Sequence, residues 1–400
     1  MNKNIKLAVA GAVLALSATA ANAGIIIPAG EWTVDLSGNV NSFAIWGKAS
    51  GTNVDGGLAG GGKGSTGTAQ STGLLPNFLS FAGSTRQNDL DVTWLISLNP
   101  GGYTSHSASG GSAAENRQAF FTFGDKSWGS VKIGKDLGIY ASDAILNDMT
   151  LLGVGNPSVG GTTTLGRIGT GFQYADWKQQ IAYTTPNFNG FQATVGITQA
   201  WDQQSSRANG STDGALLSAT TSNGGGASPA YEGKASYSFA ANDVTGKIWV
   251  SGLTQKIDGV RQGENQAWSA DIGANIKVAG FDVVGYYYGG EGTGTTFINT
   301  NGYSTTGYKR DVDGGYVQVK YTLPTKTVAG LSWGQSNLDR TTGDTANTLV
   351  KTNEMWTAGL YHPLTKHVNL VAEFSHTDAE AQSGVHGTSN AGSLGGILFF

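Results

Sequence analysis

Segments of about ten residues in this chain change character at every second position, a period that fits a pleated strand with one apolar face and excludes an amphipathic helix. Trp268, Ala270, Ile272, Ala274, Ile276 and Val278 form one face, opposite Ser269, Asp271, Gly273, Asn275 and Lys277. The pattern returns where Leu90, Val92, Trp94, Ile96 and Leu98 stand against Asp91, Thr93 and Ser97. Phe191, Ala193, Val195 and Ile197 repeat it against Gln192, Thr194 and Thr198, as do Val368, Leu370, Ala372 and Phe374 against Asn369, Glu373 and Ser375. At the end, Leu394, Gly396, Leu398 and Phe400 alternate with Gly395, Ile397 and Phe399. An aromatic end on an alternating last strand suits an outer-membrane type of barrel.

A soluble β-sandwich also alternates, and the connections separate the two readings. Short turns join pairs of strands at Gln87–Asn88, Asp125–Trp128, Pro186–Gly190, Ala241–Asp243, Ala279–Gly280, Pro324–Lys326 and His362–Lys366. Between the pairs lie long loops rich in Gly, Ser, Thr and Asn, at about 51–76, 99–116, 137–175, 201–229, 257–264, 291–312, 338–352 and 377–390. Seven turns and eight loops imply sixteen strands with both ends on the short-turn side. Short turns on one side and long loops on the other mark a membrane barrel. The expected fold class is all-β: a 16-stranded antiparallel transmembrane β-barrel, one domain over about 24–400. At that strand number the lumen is expected to be an aqueous channel, not a packed core.

Composition supports this. Charged residues are 13%, about half the roughly 25% of soluble domains. No run approaches the roughly 20 apolar residues of a membrane helix, so a membrane-embedded chain must close its strands into a barrel. Aromatics at 10% can furnish interfacial girdles. Residues 1–23 read as a secretory signal: Lys3 and Lys6, an apolar stretch Leu7–Leu16, and a small-x-small site at Ala21-Asn22-Ala23. Its removal takes two lysines and no acid, moving the net charge from −4 to −6. The absence of cysteine excludes disulfides and thiolate sites, and the lack of a basic patch argues against nucleic acid.

No catalytic constellation accompanies the five histidines. His106 and His386 fall in loops, His362 and His367 flank a turn, and His376 lacks a Gly-x-Ser-x-Gly partner. Gly57–Gly64 approaches a phosphate loop, but Gly64 replaces the required Ser or Thr. No cofactor or metal is expected. Trp249 and Tyr316 are candidates to face inward, too few for an aromatic sugar track. The third loop differs from the others: Ile139–Val154 is rich in Ile, Leu and Met. Such a segment is expected to fold into the barrel against its wall.

These residues resemble the general porins of Gram-negative outer membranes. The strand layout matches throughout, and five motifs carry the likeness in order: Val34–Gly38; Arg117–Phe120 with Gly129–Lys135; Asn147-Asp148-Met149; Gly166–Gly169; and Tyr183–Phe191. The resemblance implies a homotrimer in outer-membrane lipid and lipopolysaccharide. It also implies passive diffusion of small hydrophilic solutes and ions past an eyelet formed by loop three, about 137–175. It places Asp148 on the eyelet's acidic side and Arg117 and Arg167 on its basic side, with Lys135 nearby. Asp143 and Lys132 are further candidates for lumen charge. The chain departs from the enteric pattern at Leu152, Asn39 and near Phe78, where an acid, a lysine and an arginine are absent.

Two arginines against one aspartate imply weak anion preference, whereas a mature charge of −6 implies cations. A focused field in a narrow constriction outweighs loop charges screened within about 10 Å. One conflict remains: alternation groups Arg117 with Ala119, Phe121 and Phe123, facing lipid. A charge there costs roughly 2–4 kcal/mol near the midplane. An inward Arg117 is therefore expected, either because Phe121 and Phe123 face inward beneath the loop or because a bulge shifts the phase.

Overall fold

Backbone in hydrocarbon must find all its hydrogen-bond partners within the protein, which strands achieve only in a closed sheet. The computed structural model of the chain describes residues 24–59, 65–100, 114–160, 163–201, 228–258, 260–261 and 263–400. The predicted signal 1–23, His106 and most of the predicted loops 99–116 and 201–229 lie outside the described residues. Nineteen strand segments share one sheet. Three wall strands are each built from two segments. Ile25–Ala29 extends the edge of the last strand, Thr66–Ser71 and Phe78–Gln87 are halves of the second wall strand, and Ala114–Glu115 and Ala119–Asp125 are halves of the fourth. Sixteen antiparallel wall strands result, as alternation predicts.

The barrel closes where Trp32–Gly51 pairs with His386–Phe399, in register from Asn39 opposite Phe399 to Gly51 opposite Gly387. Below this seam Ile25–Ala29 pairs with Trp32 to Leu36, so the two chain ends meet along one edge. Gly38 N–H donates to Phe400 O at 2.8 Å, and Phe400 N–H to Gly38 O at 3.0 Å. At the short-turn rim, Asn88 and Asp89 take φ of 48° and 63°. Positive φ at both central residues gives a hairpin turn whose twist matches the strands it joins.

The pleat turns the usual burial order inside out. Ile272 is 53% exposed, whereas its neighbour Asp271 is 6% exposed. Trp268, Ile276, Leu394 and Leu398 share the outer, lipid-facing side, while Ser269, Asn275, Ile397 and Phe399 point inward.

Two expectations are corrected. The predicted loop 377–390 is mostly strand: Val368–Ala381 and His386–Phe399 leave only residues 382–385 between them. Pairing continues above the apolar band, where outward side chains need not be apolar. The lumen is also not wholly aqueous. Trp249, Tyr286, Tyr288 and Tyr316 point inward and are buried in one cluster with Ala144, Ile145, Leu165, Ile168 and Phe172 of the third loop. A packed core therefore fills one side of the lumen.

Candidate functional site

The third loop, 138–176, enters the barrel and is fastened by wall side chains to its backbone. Glu232 Oε2 accepts from the N–H groups of Ile139 at 2.7 Å and Tyr140 at 2.8 Å. Glu373 Oε2 accepts from Val154 at 2.7 Å and Gly155 at 2.8 Å. Between these anchors Gln318 accepts from Met149 N–H at 2.8 Å, and Tyr316 donates to Ala144 O at 2.8 Å. A loop rich in Ile, Leu and Met buries its apolar side chains against the wall, and buried carboxylates satisfy its amides. Neither glutamate was singled out by the sequence, although each stands on the inward face of an alternating strand.

A second element also turns inward. Phe43 pairs with Ser71 and Asn39 with Phe78, so residues 72–77 occupy six positions where three would keep register. This inlet is held by Asn39 Nδ2 donating to Pro76 O at 3.0 Å and by Gly73 N–H donating to Asn41 Oδ1 at 3.0 Å. Leu74 N–H donates to Gly153 O of the third loop at 2.9 Å. Thr66–Ser71 and the inlet both fall in the region predicted as loop 51–76, whose polar composition hid them.

These elements form one side of a cavity of about 640 Å³ that reaches from Asp125 and Lys126 at the short-turn rim to Arg117 and Tyr174. Arg117 lines it through a bulge. Ile96 pairs with Ala119 and Asn99 with Glu115, so one strand has two intervening residues and the other three. The extra residue reverses the phase that would have sent Arg117 into lipid. Arg117 Nε donates to Glu115 Oε2 at 3.1 Å, and its guanidinium lies 5.9 Å from the Trp177 ring centroid. Lys132 also lines the cavity, ion-paired with Asp136 and 4.9 Å from the Phe120 ring centroid.

Asp143, in the short helix Ser142–Asn147, faces two wall lysines: Lys234 at 3.0 Å, and Lys247 in a closer pair. Burial alone would raise the Asp143 carboxyl, but the two ammoniums outweigh it and hold the group below the ordinary aspartate range. Lys234 and Lys247 escaped the sequence reading. Alternation could have found them, because Lys247 shares a face with Trp249, and Lys234 shares one with Glu232.

The remaining candidates are placed elsewhere. Asp148 and Arg167 do not face each other across water: both side chains are fully buried, with Arg167 Nε 3.9 Å from Asp148 Oδ1. Asp148 accepts from Thr150 N–H at 3.0 Å and caps the turn Met149–Leu152. Arg167 donates to Met355 O at 3.0 Å and to Ser332 Oγ, pinning loop to wall. Apolar packing around loop residues 144–172 carried the pair under the loop and out of the passage. Lys135 stands opposite Ala119 and Gln179 in the sheet and does not border the cavity. Its strand places Lys132 and Asp136 on the lumenal side instead.

A family model described as Gram-negative porin matches residues 8–382. A search of curated proteins finds no match. Among solved structures, the outer membrane channel DcaP of Acinetobacter baumannii is similar at 15% identity and TM-score 0.66, covering 94% of this chain and 100% of that one. An anion-selective porin from Comamonas acidovorans is similar at 14% identity and TM-score 0.61, covering 92% and 100%. The trimer form of OmpT from Vibrio cholerae follows at 12% identity and TM-score 0.55, covering 92% and 99%. At these identities the likeness is one of fold.

Proposed function

This chain belongs to the Gram-negative porin family and is an outer-membrane porin channel, and from that premise we propose that it passes small hydrophilic solutes and ions by passive diffusion, with weak anion preference. The passage is the cavity left between the basic wall and the two inward elements. Its mechanism is size exclusion plus a local field, with no catalytic step. A homotrimer, exported by the segment 1–23, is part of the same reading; the trimer form of the Vibrio barrel supports it.

The observation that carries the anion preference is the sharing of Asp143 by Lys234 and Lys247. Arg117 is offset by Glu115, and Lys132 by Asp136. Among these three groups one positive charge is left over, and at the rim Asp91 and Asp125 are offset by Arg86 and Lys126. The surplus stands beside a low-dielectric loop where fields are focused.

In planar bilayers under a KCl gradient, stepwise conductance in groups of three is expected, with a reversal potential on the anion side. Removing both lysines in the K234Q/K247Q variant should carry it to the cation side. D143N should strengthen anion preference. Each charge changed should shift the permeability ratio by roughly two- to tenfold, as expected for a charge felt within a Debye length. Cation preference in the unsubstituted channel would refute the charge argument, and a silent folded barrel would refute the pore.

A further inference from the structure

Building on that pore, we propose that its preferred solutes are amphipathic organic anions: small carboxylates carrying an aliphatic or aromatic tail. The lining of the passage sets cationic and apolar groups beside one another. Arg117, Lys132, Lys234 and Lys247 stand on the wall side. In the same lining the inlet presents Leu75 and the loop presents Leu146, both partly exposed. Phe78 and Phe120 add two more partly exposed apolar side chains to the same lining.

This pairing is not what a water-filled passage requires. Inward side chains that meet water gain nothing from being apolar, and lipid is on the other side of the wall. The two charged groups of the loop's middle, Asp148 and Arg167, are turned beneath it and fully buried. Leu75 and Leu146, packed on the core cluster by one side, keep the rest of their surface at the water. Exposed apolar surface costs about 25 cal/mol per Å² relative to contact with a ligand's tail. An apolar lining with a few placed charges is the usual make-up of a small-molecule site.

The two halves lie side by side. Asp143 and Leu146 belong to one short helix and are three residues apart, which makes them neighbours on its surface. The lysine pair that holds Asp143 therefore stands next to Leu146. Lys132 repeats the arrangement over the Phe120 ring. A carboxylate on the surplus ammonium places its tail along Leu146 and Leu75. An inorganic anion uses only the first contact, and a neutral sugar uses neither.

The test adds potassium hexanoate or potassium acetate to channels carrying chloride current in planar bilayers. The two anions share a head group and differ by four methylenes. Hexanoate is expected to reduce the current at a half-blocking concentration about tenfold below that of acetate, less than full burial of the tail would give. The L75N/L146N variant should bring the two concentrations together. K234Q/K247Q should raise both and keep their ratio. Equal half-blocking concentrations in the unsubstituted channel would overturn the proposal, as would a tenfold difference that survives L75N/L146N. A folded barrel that carries no chloride current would remove the pore and this preference together, whereas equal block leaves the pore intact.

Discussion

Alanine in place of Glu373 should release the middle of the third loop from the wall, giving larger and noisier single-channel currents. The Glu373 carboxylate is buried and fully used: Oε2 accepts from two loop amides, Val154 and Gly155, and Oε1 accepts from the Tyr361 hydroxyl at 2.6 Å. Its loss leaves three buried donors without a partner, each costing about 1–3 kcal/mol in the docked state. Even ~3 kcal/mol in total reduces the docked population more than a hundredfold relative to the released one. The sheet itself is untouched, because wall strands hold each other through their own ladders. The barrel should therefore stay folded, its heat-resistant mobility in detergent gels nearly unchanged, while mean conductance rises. E373Q keeps a carbonyl acceptor and should fall between. Unaltered current and noise in E373A would show that this carboxylate does not hold the loop. Glu232 is the less informative target. It also pairs with Lys178 at 2.7 Å, both side chains fully buried, so its removal strands a cation in the wall as well as two amides.

What was legible in the sequence and what was not follow from the range of the forces involved. Strand number, pairing order and the lipid face depend on period-two alternation and turn chemistry. Both are local, and residues such as Trp268 to Val278 declare them without reference to the rest of the chain. The inward course of the third loop was also legible, since Ile139–Val154 is too apolar for water. The charged site was less so. Whether Asp148 and Arg167 line a passage or lie beneath a loop depends on how the loop's apolar residues pack against Trp249, Tyr286 and Tyr316, three separate strands away in sequence. The inlet 72–77 escaped for a similar reason. Its six residues look like ordinary loop, and only the unequal spacing between two strand pairings reveals an excursion. The bulge before Ala119 is the instructive middle case. The cost of a charge in lipid called for an inward Arg117 but left open whether Phe121 and Phe123 turn inward or a bulge shifts the phase. Phe121 stays outward, and the extra residue supplies the shift.

Substituting Arg167 by alanine should destabilise the docked loop and the barrel it braces by about 3–5 kcal/mol, because it strands the buried Asp148 carboxylate. The pair itself is not a strong source of stability. At 3.9 Å the contact is electrostatic, and taking both charges out of water offsets most of the attraction. Burial already raises the Asp148 carboxyl above its ordinary range, the Arg167 charge opposing it without prevailing. Without the arginine the folded-state value must rise further, while the unfolded value stays near the ordinary value of about 3.9. A raised folded pKa means that the folded chain binds the proton more tightly than the unfolded chain, so stability falls as pH rises through that interval. R167A should accordingly be weakest at neutral pH and recover on acidification, as its carboxyl takes up a proton. R167M/D148N should recover much of the loss at neutral pH, since it removes the orphaned charge and fills the space with an apolar side chain. Detergent-gel heat-modifiability and thermal unfolding, measured across pH, read both effects. An R167A barrel as heat-resistant as the unsubstituted one would show that the pair is not what pins this part of the loop. An equal loss at every pH, unrelieved by D148N, would place the cost in the lost Met355 and Ser332 hydrogen bonds instead of in the charge.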